Sequence, residues 1–124
     1  MLNPLIAIHT AVAAAIHTPY PAAMVYPESV SSPAAFPCVT ILEIDNAETA
    51  RSLSNTENAA NVAFQIDVYS NKAVGNTTER LAIAAIVDTA MRTMGYHRTM
   101  INTESPNIDI TIKRLTARYA ALVV

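Results

Sequence analysis

The chain has 124 residues, enough for one domain with a single core of ordinary size. Charged residues make up only 15%, below the roughly 25% of typical soluble domains, so we expect copies of the chain or partners to cover part of the surface. The formal net charge of −2 and the pI near 5.8 argue against a nucleic-acid-binding protein, which usually carries a basic patch.

Cysteine content and the N-terminal sequence bear on the cellular compartment. Cys38 is the only cysteine, so the chain forms no internal disulfide, and we interpret this residue as a packed, inert thiol. The N-terminal apolar run is too short to span a bilayer and lacks the basic start of a signal peptide. We therefore expect a soluble protein that is made in a reducing cytoplasm and has no membrane partner.

The first predicted element is a helix that begins at Asn3 and Pro4 and ends before Pro19. Asparagine can accept hydrogen bonds from the free amides, and proline fits the first turn. Its apolar residues recur at helical spacing: Leu5, Ile8, Val12, Ala15 and Ile16. The phrase Ala-Ile-His-Thr occurs twice in it, but the two histidines lie about 80° apart and more than two turns distant, so we interpret the repeat as coincidence.

A proline-rich stretch and two strand-like runs follow the first helix. Residues 20–37 are extended and irregular, with a possible short edge strand near residues 23–26. The first strand-like run covers residues 36–46. The second covers residues 61–72 and alternates, with Val62, Phe64, Ile66 and Val68 on one face and Ala63, Gln65, Asp67 and Tyr69 on the other. We predict that the polar residues 46–60 between the runs form a long functional loop, either a hairpin loop or one containing a helical turn.

A second helix is predicted after Asn76, which can cap it, with Glu79 reaching back in a capping-box arrangement. Asp88 and Arg92 can pair on its outer side, and Gly95 supplies a left-handed stop. Its inner stripe contains Ile83, Val87, Ala90, Met91 and Met94. We expect this stripe to pack on the apolar face of the preceding strand.

Two closing strands are predicted over residues 96–103 and 109–123. Along the last strand the apolar residues change from one face to the other. A bulge near Lys113 and Arg114 would bring the apolar residues of both halves to the same face. The order of elements predicts an α+β fold, a mostly antiparallel sheet of four to five strands with two helices packed on one face. We expect residues 1–124 to form a single domain.

The sequence contains no residue pattern typical of catalysis. Its two glycines exclude a glycine-rich phosphate loop, and its three histidines lack metal-ligand spacing. Glu43 and Asp45 share a strand face, but no histidine or third ligand accompanies them. We interpret Lys113, Arg114 and Arg118 as a solvated or subunit-bridging edge and not as a phosphate site. We therefore expect no enzymatic activity, no catalytic residue, no metal site and no cofactor.

Three stretches of the chain carry a family resemblance. Residues 36–46 read Phe-Pro-Cys-Val-Thr-Ile-Leu-Glu-Ile-Asp-Asn, residues 68–72 read Val-Tyr-Ser-Asn-Lys, and residues 112–119 read Ile-Lys-Arg-Leu-Thr-Ala-Arg-Tyr. These stretches resemble the tail terminator proteins (also called tail completion or neck proteins) of long-tailed bacteriophages. The first 35 residues resemble that family only in their order of elements, a helix followed by an extended segment that contains tyrosine and proline.

The resemblance implies a structural virion protein of the tail or neck, made in the host cytoplasm. Members assemble into a ring, commonly a homohexamer, that caps the completed tail tube. The ring then docks to the head-tail connector or stopper protein and leaves a lumen through which DNA passes without specific binding. The implied partners are therefore further copies of the chain, the tail tube protein and the connector.

The expected ring contacts use the sheet edges and the polar loop, because strands of a small monomer leave unpaired edges. We place Asp45, Glu48 and Glu57, on or beside that loop, at the inner surface of the ring, since an acidic wall avoids sticking to DNA. Two alternatives stay open. One is another neck component, either a head-completion or a connector-ring protein. The other is a small α+β ligand-binding or regulatory domain, which a concave apolar pocket would favour.

Overall fold

A computed structural model describes residues 4–28, 33, 35–51, 57–107 and 109–123 of the protein. Within these ranges lie two helices and five strands, in the order α1 (Leu5–His17), β1 (Met24–Tyr26), β2 (Cys38–Arg51), β3 (Glu57–Ser70), α2 (Asn76–Thr93), β4 (His97–Ser105) and β5 (Lys113–Val123). The two helices and the mostly antiparallel sheet confirm the predicted α+β fold. The predicted cap residue Asn3 lies outside the described residues.

The five strands form one sheet in the order β1-β2-β3-β5-β4. β1 pairs in parallel with β2, and the other three pairs are antiparallel. β3 and β5 stay in continuous register from Ala60 opposite Val123 to Ser70 opposite Lys113. The predicted bulge near Lys113 and Arg114 is therefore wrong. β5 begins only at Lys113. The apolar residues that did not fit its alternation come before it in the chain and are not part of the strand.

The helices cover one face of the sheet and form the core with it. β3 presents the predicted alternation, and its four apolar residues are buried against the inner stripe of α2, as expected. α1 contributes Ile8, Val12 and Ile16 to the same cluster. The rings of Phe64 and Tyr96 meet edge to face, with centroids 5.9 Å apart. The outward residues of the central strands lie on the face that neither helix covers.

The start of α2 differs from the predicted capping box. Gly75, with a φ of 82°, occupies the N-cap position, and no side chain caps the helix. Asn76 is already helical, and its side-chain amide donates back to the carbonyl oxygen of Lys72 (3.1 Å). Glu79 faces the sheet, where it accepts a hydrogen bond from Ser70 Oγ (2.8 Å) and pairs with Lys72 Nζ (3.1 Å). The capping-box prediction is wrong because this carboxylate is used between the helix and β3.

A buried arginine links the first turn of α2 to the end of β4. The Arg80 guanidinium donates to the carbonyl oxygen of Thr103, to Asn76 Oδ1 (3.1 Å) and to Thr77 Oγ1 (3.2 Å). A buried charge is tolerated only where hydrogen bonds compensate it. Its partners lie up to 23 residues away along the chain, so the sequence pattern alone did not reveal this contact.

The end of α2 agrees with its prediction. Gly95, with a φ of 92°, stops the helix, and its amide donates to the carbonyl oxygen of Arg92 (3.0 Å). The predicted pair is formed, with Arg92 Nε 2.7 Å from Asp88 Oδ2. Tyr119 Oη also donates to Asp88 Oδ1 (2.8 Å), and Arg98 Nη1 lies 3.5 Å from that oxygen. The hydrogen bond from Arg92 holds the pKa of the Asp88 carboxyl below its ordinary value.

Candidate assembly surface

The β2–β3 hairpin extends beyond the rest of the sheet. β5 accompanies β3 only as far as Ala60, whereas β2 and β3 remain paired to Arg51 opposite Glu57. Most of the predicted loop over residues 46–60 is therefore strand, and that prediction is wrong. Polar residues without proline or glycine can pair through their backbones, although their hydropathy resembles that of a loop. Residues 52–56, which join the two strands, lie outside the described residues.

The three acidic residues predicted for the ring lumen all lie on this hairpin. Asp45 on β2 is exposed and stands opposite Ala63. The backbone of Glu48 is paired with that of Ala60, and Glu57 begins β3. Register shifts beside Asp45 and Glu48 mark bulges, which bend and twist a strand. The structure thus brings the predicted residues to one projecting part of the molecule.

Histidine side chains of α1 close the outer edge of β1. The amide of Met24 donates toward the β2 side, so the carbonyls of its neighbours Ala23 and Val25 point away from β2. His9 Nε2 donates to the carbonyl oxygen of Val25 (2.9 Å), and His17 Nε2 donates to that of Ala23 (2.8 Å). The repeated Ala-Ile-His-Thr phrase, which we interpreted as coincidence, therefore supplies two equivalent clamps.

The opposite edge of the sheet is open. β4 is the outermost strand on this side of the sheet that the described residues form, and seven of its nine residues are exposed. Unpaired strand edges are templates for another strand unless bulges, charges or a cover protect them. β4 carries register shifts beside Arg98 and near Asn102 but has no cover among the described residues. The two edges of this sheet are therefore not equivalent.

A polar network occupies the sheet face that the helices leave free. Asp67 is buried there and accepts hydrogen bonds from Thr116 Oγ1 (2.5 Å) and Gln65 Nε2 (3.1 Å). Arg114 Nε lies 3.7 Å from the same carboxylate, and Arg118 Nε donates to Gln65 Oε1 (3.1 Å). Sequence alternation placed Asp67 on this face, but it could not identify Thr116, a partner 49 residues away.

An apolar groove of about 590 Å³ runs between the two helices. Its lining is mostly alanine: Ala11, Ala15, Ala85, Ile86, Thr89, Ala90, Thr93 and Met94. Ligand sites need a few free polar groups to orient what they bind. The two groove hydroxyls are engaged, because Thr89 donates to the carbonyl oxygen of Ala85 (3.1 Å) and Thr93 to that of Thr89 (2.8 Å). The groove therefore has little means of orienting a polar ligand.

Cys38 and the acidic and histidine side chains are the groups that could carry reactive chemistry. Burial raises the pKa of the Cys38 thiol to about 11, so this thiol is protonated near neutral pH and is a poor nucleophile. Among the residues that the structure describes, no group of three or more His, Cys, Asp or Glu could hold a metal ion. Neither of the two described helices combines the length and the apolar character needed to cross a membrane.

Helices on one sheet face, one open edge and a projecting hairpin define a small α+β protein suited to assembly with other subunits. The model of the family described as "Tail completion protein gp17" matches residues 6–123. The chain therefore belongs to this family, and it is a structural protein of the bacteriophage tail. This match confirms the resemblance seen in the sequence. No curated protein matches the chain significantly.

Proposed function

We propose that this protein forms a closed ring that caps the completed tail tube and joins it to the head connector. The observation that carries this proposal is the open β4 edge, which lies across the sheet from an edge closed by histidines. A surface that meets a different surface of the next copy gives a ring when the rotation closes. Residues 1–124 act as one domain in this ring, which is a homohexamer, and the role involves no catalysis and no cofactor.

The proposed ring leaves a channel for DNA that is lined by Asp45, Glu48 and Glu57. Their common position on the projecting hairpin supports this assignment. DNA carries dense negative charge, and lysine or arginine on the wall would bind its phosphates. An acidic wall instead lets DNA pass without specific binding.

Phage particles that lack this protein provide the test. We expect tails of abnormal length that do not join heads, and addition of the purified protein should restore joined particles. Electron micrographs should show the ring at the head-proximal end of the tail, and native mass spectrometry should give six copies. Normal joined particles without the protein would contradict the proposal.

A head-completion or connector-ring protein is the nearest alternative, because such a protein shares the virion context. Immunogold labelling of incomplete particles separates the two functions. The tail terminator should label the tips of headless tails. Labelling of tailless heads alone would favour the alternative.

The helical groove is the one observation that favours a ligand-binding or regulatory domain. Ala85, in the groove lining, is exposed, so Ala85→Phe should fill the groove without disturbing the core. A tail terminator with this substitution should still restore joined particles. Loss of function in a folded Ala85→Phe protein would favour a role for the groove.

A further inference from the structure

We propose that residues 98–101 of β4 in one copy pair antiparallel with residues 41–43 of β2 in the next copy, so that the sheet continues from subunit to subunit. β4 leaves this edge after Ile101, because the next position of β2, Thr40, is already paired with Tyr26 of β1. This inference rests on the ring proposed above and specifies the contact that closes it. The occupant of the open edge is therefore a second copy of this chain.

The receiving edge is the part of β2 that β1 does not reach. β1 pairs only with Cys38, Val39 and Thr40. Past Thr40, no described strand lies beside β2 on that side, and Leu42 and Ile44 are each 41% exposed. The clamps from α1 close β1 itself, so an incoming strand is directed to the stretch that follows Thr40.

Strand direction favours this contact in a ring. β2 and β5 run the same way because both are antiparallel to β3, and β4 runs opposite to them. Copies related by rotation about an axis along the strands keep their strand directions. β4 of one copy therefore meets β2 of the next antiparallel, in a contact that repeats around the ring.

The register inside one copy predicts the pairs across the interface. Arg98, Tyr119, Phe64 and Glu43 stand opposite one another in a single row across β4, β5, β3 and β2. When this row continues into the next copy, Arg98 faces Glu43. In the same way, Met100 faces Leu42, and Ile101 faces Ile41. An ion pair and two apolar pairs thus follow from one register.

Glu43 lacks a hydrogen-bond donor that this contact would supply. Its Oε2 atom is buried and has no hydrogen-bond partner among the described residues. Buried polar atoms are rarely left unsatisfied. The side chain of Arg98 is 38% exposed, and among the described residues its one ion pair is the 3.5 Å contact with Asp88. Its guanidinium is therefore available to donate to the Glu43 carboxylate of a neighbour.

The apolar pairs add side chains that are partly exposed within one copy. Ile101 on β4 is 39% exposed and Leu42 on β2 is 41% exposed, whereas Ile41 is already buried in its own copy. Each edge also carries one extra residue, Ile44 on β2 and Thr99 on β4, as the register shifts show. Such bulges keep the regular paired stretches short. The side-chain pairs must therefore provide much of the specificity with which β4 of one copy recognises β2 of the next.

Charge reversal tests the ion pair. Glu43→Arg and Arg98→Glu should each lower the fraction of protein in rings by at least about tenfold, because like charges across an interface are strongly unfavourable. The double variant should recover most of the rings. Asp109→Arg reverses an exposed charge in the turn before the central strand β5, outside both edges, and should leave assembly unchanged. Thermal melts of each variant separate loss of assembly from loss of folding.

Cross-linking tests the register without changing a charge. In a Cys38→Ala background, Leu42→Cys with Met100→Cys should give a ladder of covalent oligomers in assembled rings, up to the full ring. Within one copy, β3 and β5 separate these residues by three strand spacings, about 14 Å, too far for a disulfide. The control pair, Leu42→Cys with Ile110→Cys, should give no ladder.

The outcomes distinguish this contact from the ring itself. If the wild-type protein forms no rings in solution or on tail tubes, the proposed function fails. If rings form but the cross-linked ladder is absent, or equals that of the control pair, the ring stands and the strand pairing is wrong. Undiminished rings in both folded single charge-reversal variants would also overturn the pairing.

Discussion

Cys38 makes stability sensitive to alkaline pH. Burial raises the pKa of its thiol from the ordinary value of 9.0 to about 11. The folded state therefore holds this proton more tightly than the unfolded state. The associated stabilisation is present in full below pH 9 and is lost as the pH rises toward 11. We expect Cys38→Ala to reduce the loss of stability in this window by up to about 2 kcal/mol, measured by urea unfolding.

The control for this prediction is the same comparison at pH 7 and pH 8. There the thiol is protonated in both states, so the difference between wild type and Cys38→Ala should not change with pH. A difference that is equally constant between pH 9 and pH 11 would contradict the assignment.

Asp67 anchors the network on the free sheet face. Asp67→Ala removes the acceptor for Thr116 and Gln65 and leaves the Arg114 guanidinium without its carboxylate partner. Loss of one partner from a buried polar group costs about 1–3 kcal/mol, so we expect a decrease of that size in the free energy of unfolding. Asp45→Ala, on an exposed site of the neighbouring strand, should change it by less than about 0.5 kcal/mol. Equal stability of the two variants would show that the network contributes nothing.

At the scale of helices and strands, the apolar periodicity of the sequence predicted which residues of α2 and β3 form the core. The stripe of α2 and the alternation of β3 were visible because burial imposes periods of 3.6 and 2 residues. The cross-strand partners of Glu48 and Glu57 could not be predicted in this way. Strands made mostly of polar residues pair through their backbones and show no alternation of apolar side chains. The capping box failed for a related reason. Glu79 had two suitable partners, and only the folded chain shows that Ser70 is the one it contacts.

Core packing between α2 and β3 predicts the largest mutational effects. Val87→Asp and Ile66→Asp each place an unpaired charge in the buried cluster. Each should lower the free energy of unfolding by several kcal/mol and leave little folded subunit. Leu81→Asp, on the exposed side of the same helix, is the matched control and should remain folded. A Val87→Asp protein with a wild-type thermal melt would mean that the inner face of α2 is misassigned.

The two histidine clamps predict a local effect at β1. His9→Ala and His17→Ala each remove one hydrogen bond to a β1 carbonyl and should cost about 1 kcal/mol. Hydrogen exchange at the Met24 amide should become faster, because β1 is then held mainly by β2. His97→Ala, on exposed β4, should leave this exchange rate unchanged. Unaltered exchange in both clamp variants would show that β1 needs no clamp.

At the scale of the whole molecule, exposed apolar side chains agree with the low charge content. Val74 is 88% exposed and Ile110 is 79% exposed, and both lie near the sheet end formed by Ser70 and Lys113. The β2–β3 hairpin projects from the opposite end. Composition predicted that neighbours cover part of the surface, but it could not locate that part. Which edge is open depends on two histidine contacts formed only in the folded chain.

The acidic hairpin leads to a prediction about DNA passage. Replacing Asp45, Glu48 and Glu57 by lysine changes the charge of each ring copy by +6 and should slow DNA ejection, because lysines bind the backbone phosphates. Rings should still form, since the Glu43, Leu42 and Ile41 contacts proposed for assembly are untouched. The variant with Asp45→Asn, Glu48→Gln and Glu57→Gln removes the negative charges without adding positive ones. It therefore separates the effect of losing acidic groups from the effect of gaining lysines.

Ejection kinetics at several salt concentrations provide the measurement. Phosphate binding weakens as salt rises, so the delay caused by the lysines should shrink at high salt, whereas a steric obstruction would persist. The neutral variant should eject at nearly the wild-type rate. Wild-type ejection by the lysine variant at low salt, with rings confirmed by electron microscopy, would place these residues away from the lumen.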